Sequence, residues 1–120
     1  MNGKVNWNYA RDVVGDSDEL LLELIEIFFE EYPKLMTGIQ SSITSGSPDK
    51  LRLSAHTLKG TLRYFGETQA GELAFALEVM GRDKQMEGAA EVYGKLQPEL
   101  DTIVPELRAY QASHAPKSDK

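Results

Sequence analysis

The sequence contains no cysteine. That excludes disulfide bridges, thiol nucleophiles and thiolate metal sites, and leaves the compartment open. Long apolar runs are missing too. Stretches such as Leu20-Leu21-Leu22 fall far short of the roughly 20 apolar residues that cross a bilayer, so membrane insertion is not expected. The opening stretch Met1-Asn2-Gly3-Lys4-Val5-Asn6-Trp7 lacks the apolar core of a secretory signal, and the expected location is cytoplasmic. Basic residues are in deficit: 13 Lys and Arg against 19 Asp and Glu give a net charge of −6. Nucleic-acid binders normally present a basic surface, so DNA and RNA are not expected partners. No Gly-rich loop of the Walker type occurs, which argues against autophosphorylation from ATP.

What remains is an ordinary globular composition, 41% hydrophobic and 27% charged over 120 residues, enough for one domain with one core. The core needs no partner, so a monomer is expected. Charge is unevenly spread. Asp16, Asp18, Glu19, Glu23, Glu26, Glu30 and Glu31 follow one another with no intervening base, whereas Lys50, Arg52, Lys59 and Arg63 share a stretch without acids. A basic patch on an acidic protein suits a local anionic target.

The spacing predicts an all-α protein. A short leading helix is expected over Asn6 to Val14, then a break and capping residues at Gly15-Asp16-Ser17-Asp18. Leu21, Leu24, Ile25, Phe28, Phe29 and Tyr32 fall on one side at roughly 100° per residue, with Glu19, Glu23, Glu26 and Glu30 opposite. Leu35, Met36, Ile39 and Ile43 continue that stripe in phase beyond Pro33, which favours one long, kinked helix ending near Ser45-Gly46. Ser47-Pro48 is a start signal for a helix to about Tyr64. Gly66 marks a turn. A helix over Thr68 to Arg82 presents Ala70, Leu73, Ala76, Leu77 and Met80. The last helix, Met86 to Ala112, presents Ala89, Val92, Leu96, Leu100, Ile103, Leu107 and Tyr110, with Pro98 and Pro105 on its other side. Four amphipathic helices with short connections pack most simply as an antiparallel up-down four-helix bundle with a short additional N-terminal helix. Residues 1–112 form the expected domain, and 113–120 a polar, disordered tail.

The helix starting at Pro48 carries the chemistry. Leu51, Ala55, Leu58 and Leu62 define a buried stripe. His56 lies roughly 140° from Leu51 at 100° per residue and faces outward. Arg52, Lys59, Gly60 and Arg63 point to the same side. Neutral imidazole, with an ordinary pKa of about 6.5, is a good nucleophile near neutral pH. Phosphoryl transfer needs such a nitrogen in line with a leaving oxygen, and cations to compensate the phosphoryl oxygens. Lys59 and Arg63 could supply them. Gly60 costs about 0.5–1 kcal/mol relative to alanine, and its return could be space beside the ring. The pattern is equally that of a solvated histidine on a solvated basic face, with a glycine that permits helix packing.

Ala55-His56-Thr57-Leu58-Lys59-Gly60, then Phe65-Gly66, Leu77-Glu78 and Gly81-Arg82, resemble the histidine-containing phosphotransfer (HPt) domains of multistep two-component signalling. Asp18-Glu19-Leu20-Leu21, Phe28 and Pro33 are similar to the family's preceding helix, so the likeness runs from about Trp7 to Tyr110. The resemblance implies a four-helix bundle with His56 as phosphoacceptor, Lys59 near the phosphoryl group and Gly60 leaving room. The implied partners are response-regulator receiver domains and a hybrid sensor kinase. Magnesium would belong to the receiver, since this chain shows no oxygen-ligand cluster and needs no cofactor or metal of its own. Glu78 stands where some members carry a glutamine that orients the histidine. Arg63 and Tyr64 depart from the small residues often found after the glycine. Leu53 and Tyr64 are candidate receiver contacts.

Three functions compete at this point: a phosphocarrier without its own kinase domain, a module that docks receivers without taking phosphate, and a carboxylate-based hydrolase. The retained His56, Lys59 and Gly60 oppose the second. The third has no supporting motif, and Glu23, Glu26 and Glu30 have the spacing of a solvated face.

Overall fold

The computed structural model describes residues 4–114, which form five helices and no strand. Helix α1 (Trp7–Val13) starts where the Asn6 side chain accepts the Tyr9 amide at 3.0 Å. Gly15 and Asp16, both with φ near +60°, reverse the chain. Ser17 then caps α2 (Asp18–Ser45) by accepting the Leu20 amide at 3.1 Å. Asp18 and Glu19 complement the positive end of its dipole. This helix runs unbroken through Pro33, whose ring is exposed, and stops at the left-handed Gly46.

Helix α3 (Pro48–Arg63) has its proline at the first turn. Ser47 occupies the cap position but makes no capping bond; its hydroxyl lies 2.8 Å from that of Ser45. Helix α4 (Gln69–Arg82) is capped by Thr68, which accepts the Gly71 amide at 3.0 Å. Helix α5 (Ala89–His114) starts three residues later than expected and ends two later. Its last turn is held by Ser113, which donates to the Ala109 carbonyl at 2.9 Å, and by His114, stacked 3.9 Å from Tyr110. Ser113 and His114, expected in the tail, are therefore helical. The rest of that tail, 115–120, lies outside the described residues.

The four long helices form a ring, α2 against α3 and α5, and α4 against α3 and α5, with α3·α4 the most extensive pairing. Leu21, Ile25, Phe28, Ile39, Leu58, Leu62, Leu77, Leu96, Leu100 and Ile103 fill the centre. Each such side chain contributes about 1.5–3 kcal/mol. The α2, α3 and α5 stripes match the spacing, and Pro98 and Pro105 face solvent. In α4 the phase differs: Ala74 is buried and Ala76 only partly. Helix α1 packs on α2 and reaches α5 and the residues after α3 through single contacts. The Asn6 amide donates to the Phe65 carbonyl at 2.9 Å, Trp7 stacks on Tyr110 at 4.8 Å, and Arg11 holds Asp18 at 2.7 Å. Among the described residues no helix is long and apolar enough to cross a membrane.

Candidate functional site

The site is built on the α3–α4 pair, and its spacing is set by a glycine. A Cβ on Gly81 would stand 2.6 Å from the Arg52 nitrogen and 2.6 Å from the Pro48 carbonyl oxygen, so only hydrogen fits where the backbones meet. The α3 stripe Leu51, Ala55, Leu58 and Leu62 is fully buried. Helical geometry then turns His56 outward, and its side chain is 59% exposed.

The imidazole does not stand alone. Glu78, reaching across from α4, has Oε2 3.0 Å from His56 Nδ1 and Oε1 2.8 Å from Lys59 Nζ. His56 and Lys59 are one turn apart on α3, so a single carboxylate bridges both. Partial burial disfavours the charge of Glu78. The adjoining Lys59 ammonium and the contact from His56 outweigh that cost and hold its pKa below the ordinary 4.5. An ionised carboxylate only accepts hydrogen bonds. Nδ1 therefore carries the hydrogen, and the Nε2 lone pair points away from Glu78. Oε1 is buried and meets the Lys59 ammonium as an ion pair, without the alignment of a hydrogen bond.

A carboxylate with a depressed folded-state pKa adds stability that is present above its unfolded pKa and lost as pH falls through the folded value. The stability advantage of the native protein over Glu78→Gln is expected to be largest near neutral pH and to shrink below about pH 4.5. Urea denaturation of both at three pH values checks this, and an advantage that grows on acidification contradicts it.

The other sequence-derived candidates lie around this group without joining it. Arg52, Leu53, Gly60, Arg63 and Tyr64 are exposed. Among the described residues Arg52 and Arg63 have no carboxylate within ion-pair distance. Leu53 is 59% and Tyr64 42% exposed. A Cβ on Gly60 would meet nothing within 4 Å, so no packing contact requires this glycine. Phe75 escapes the sequence reading. It lies on α4 one turn before Glu78, half exposed, with the Lys59 ammonium 4.9 Å above its ring. Its signal is the i, i+3 relation to Glu78, which becomes readable once Glu78 is known to face α3. Among the described residues no three His, Asp or Glu side chains gather as metal ligands.

A ring of four helices carrying an outward histidine, with a carboxylate on its Nδ1, defines a class. The Hpt domain family matches residues 23–110, and the chain belongs to it, among the histidine phosphotransfer modules of two-component signalling. The fold is similar to that of histidine-containing phosphotransfer protein B (HptB) from Pseudomonas aeruginosa PAO1, with a TM-score of 0.85 at 13% identity, covering 95% of this chain and 99% of that one. No curated protein matches the sequence.

Proposed function

We propose that this chain is a phosphorelay intermediate: His56 takes a phosphoryl group from the aspartyl phosphate of one receiver domain and passes it to the aspartate of another. The observation that carries this reading is the Glu78 contact to His56 Nδ1 at 3.0 Å, which leaves Nε2 as the free nucleophile on an exposed ring. In the forward step the Nε2 lone pair attacks phosphorus, an N–P bond forms, the P–O bond to aspartate breaks, and the carboxylate leaves with the electron pair. The second receiver's carboxylate reverses this chemistry. Glu78 stabilises the positive charge that develops on the ring. Lys59 compensates the phosphoryl oxygens, and Arg52 and Arg63 steer the acidic receiver pocket towards the site. Leu53 and Tyr64 provide apolar contact. Magnesium, held by the receiver, supplies charge neutralisation there. The ring of contacts and the short connections support an antiparallel up-down arrangement with α1 as an added N-terminal element. The chain acts as a cytoplasmic, monomeric carrier and leaves magnesium-assisted catalysis to its partners.

The decisive test is profiling against the receivers of the source organism, each phosphorylated on aspartate. Acid-labile, alkali-stable label on this chain is expected from at least one. Intact receiver binding with no label on the native protein would leave a docking module in place of a carrier.

Gly60 yields a split outcome. Gly60→Ala adds a methyl group into open space within a helix and is expected to stabilise the fold by about 0.5–1 kcal/mol. The same methyl narrows the approach beside His56, so receiver transfer is expected to slow. Thermal melts and transfer rates measured together check it; faster or unchanged transfer contradicts the role assigned to Gly60.

A further inference from the structure

We infer that Phe75 is a positioning residue for Lys59: its ring and the Glu78 carboxylate hold the ammonium beside His56 before any phosphoryl group arrives. The inference rests on the phosphocarrier reading and extends it to a residue on the opposite helix.

Lysine side chains usually extend into water, yet that of Lys59 is only 20% exposed. Two groups hold it. Glu78 Oε1 forms an ion pair with Nζ at 2.8 Å, and the Phe75 ring lies beneath the ammonium at 4.9 Å to its centroid. That distance is within the range of a cation–π attraction. The two holding groups are one turn apart on α4, and the two groups they face, His56 and Lys59, are one turn apart on α3. The ammonium has three N–H donors. Glu78 holds the cation by charge and the aromatic face attracts it through its electron cloud, which uses up few of these donors. N–H groups thus remain for the phosphoryl oxygens. A lysine stem that must be frozen from many rotamers during the reaction stabilises the transition state less than one already in place.

A competing role exists for the same ring. Phe75 is 49% exposed and borders a cleft with Lys59, Arg63, Gly66 and Thr68, so it could simply touch the receiver. Contact alone would alter receiver affinity and would be indifferent to Lys59. Positioning alters the transfer step at saturation and disappears when Lys59 is gone.

The experiment is rapid-quench transfer from an aspartate-phosphorylated receiver, with receiver affinity measured separately, for Phe75→Leu, Phe75→Tyr, Lys59→Met and Lys59→Met with Phe75→Leu. Phe75→Leu should slow saturated transfer roughly two- to fivefold, the size expected of an exposed cation–π contact. Phe75→Tyr should restore the rate. In the Lys59→Met background Phe75→Leu should have no further effect. A defect confined to affinity, or one that persists fully without Lys59, overturns the inference. A readout independent of transfer separates it from the phosphocarrier reading. The Lys59 Cε protons should resonate upfield through the ring current and return to ordinary values in Phe75→Leu. Absence of that shift overturns the positioning of Lys59, whatever the transfer rates. An unlabelled native protein that still shows the shift refutes phosphotransfer and leaves the placement of Lys59 standing.

Discussion

His56→Gln is expected to abolish receiver-derived phosphorylation, by roughly a thousandfold or more, because no phosphoramidate forms without the ring nitrogen. His114 is the internal control. Its Nδ1 lies 3.1 Å from the Tyr110 carbonyl and its ring is stacked on that tyrosine, far along the sequence from the basic strip. It should stay unlabelled in both proteins. The fold should hardly notice the change. His56 is exposed and contributes one partly exposed contact to Glu78, so the stability difference should stay within about 1 kcal/mol. Glutamine can still donate to Oε2, and Lys59 still covers Oε1. Residual label in His56→Gln with the native melting profile would move the acceptor elsewhere.

The largest effect on stability is expected from Gly81→Ala. The new methyl carbon would lie 2.6 Å from two backbone atoms of α3, and backbone cannot swing aside as the tip of a side chain does. Overpacking of this kind typically costs about 1–3 kcal/mol, and the backbone clash places this case at the upper end. For a domain of this size that is a fall in Tm of roughly 10 °C. Relief requires α3 and α4 to separate, which also lengthens the Glu78–His56 and Glu78–Lys59 contacts. Transfer should therefore fall along with stability, unlike the split expected at Gly60. Gly94→Ala serves as comparison. A methyl there meets nothing within 4 Å and should stabilise α5 by about 0.5–1 kcal/mol with transfer unchanged. A Gly81→Ala protein that melts like the native one would show that the helices are not held apart by this glycine alone.

The contrast among these glycines shows where sequence reading stops. Periodicity suffices for α3: four apolar residues at helical spacing determine which side is buried, and the outward direction of His56 follows. It suffices for α5, where both prolines fall opposite the stripe. It fails to set the phase of α4. Leu73, Ala74, Ala76, Leu77, Val79 and Met80 are apolar on too much of the circumference, and packing against α3 selects Ala74 over Ala76. Ser47 has the chemistry of a cap, but its hydroxyl meets Ser45 instead. The end of α5 is extended by stacking of His114 on Tyr110, a contact with no counterpart in local composition. Gly60 and Gly81 are indistinguishable as letters within helices. Only the neighbouring helix shows that one faces open space and the other a carbonyl oxygen that an added Cβ would meet at 2.6 Å. The contacts of Lys59 and Phe75 likewise exist only across the α3–α4 seam.

The division of α3 into a locked side and an open side governs how this domain can change over generations. Leu51, Ala55, Leu58 and Leu62 have no solvent exposure, so substitution there is constrained by volume. Arg52, Leu53, Arg63 and Tyr64 have no comparable obligation to the fold, and replacing them should cost little stability. On the proposed function, substitutions on the open side alter partner preference while the core on the other side stays intact. On the same reading, exchange of these four surface residues redirects the relay.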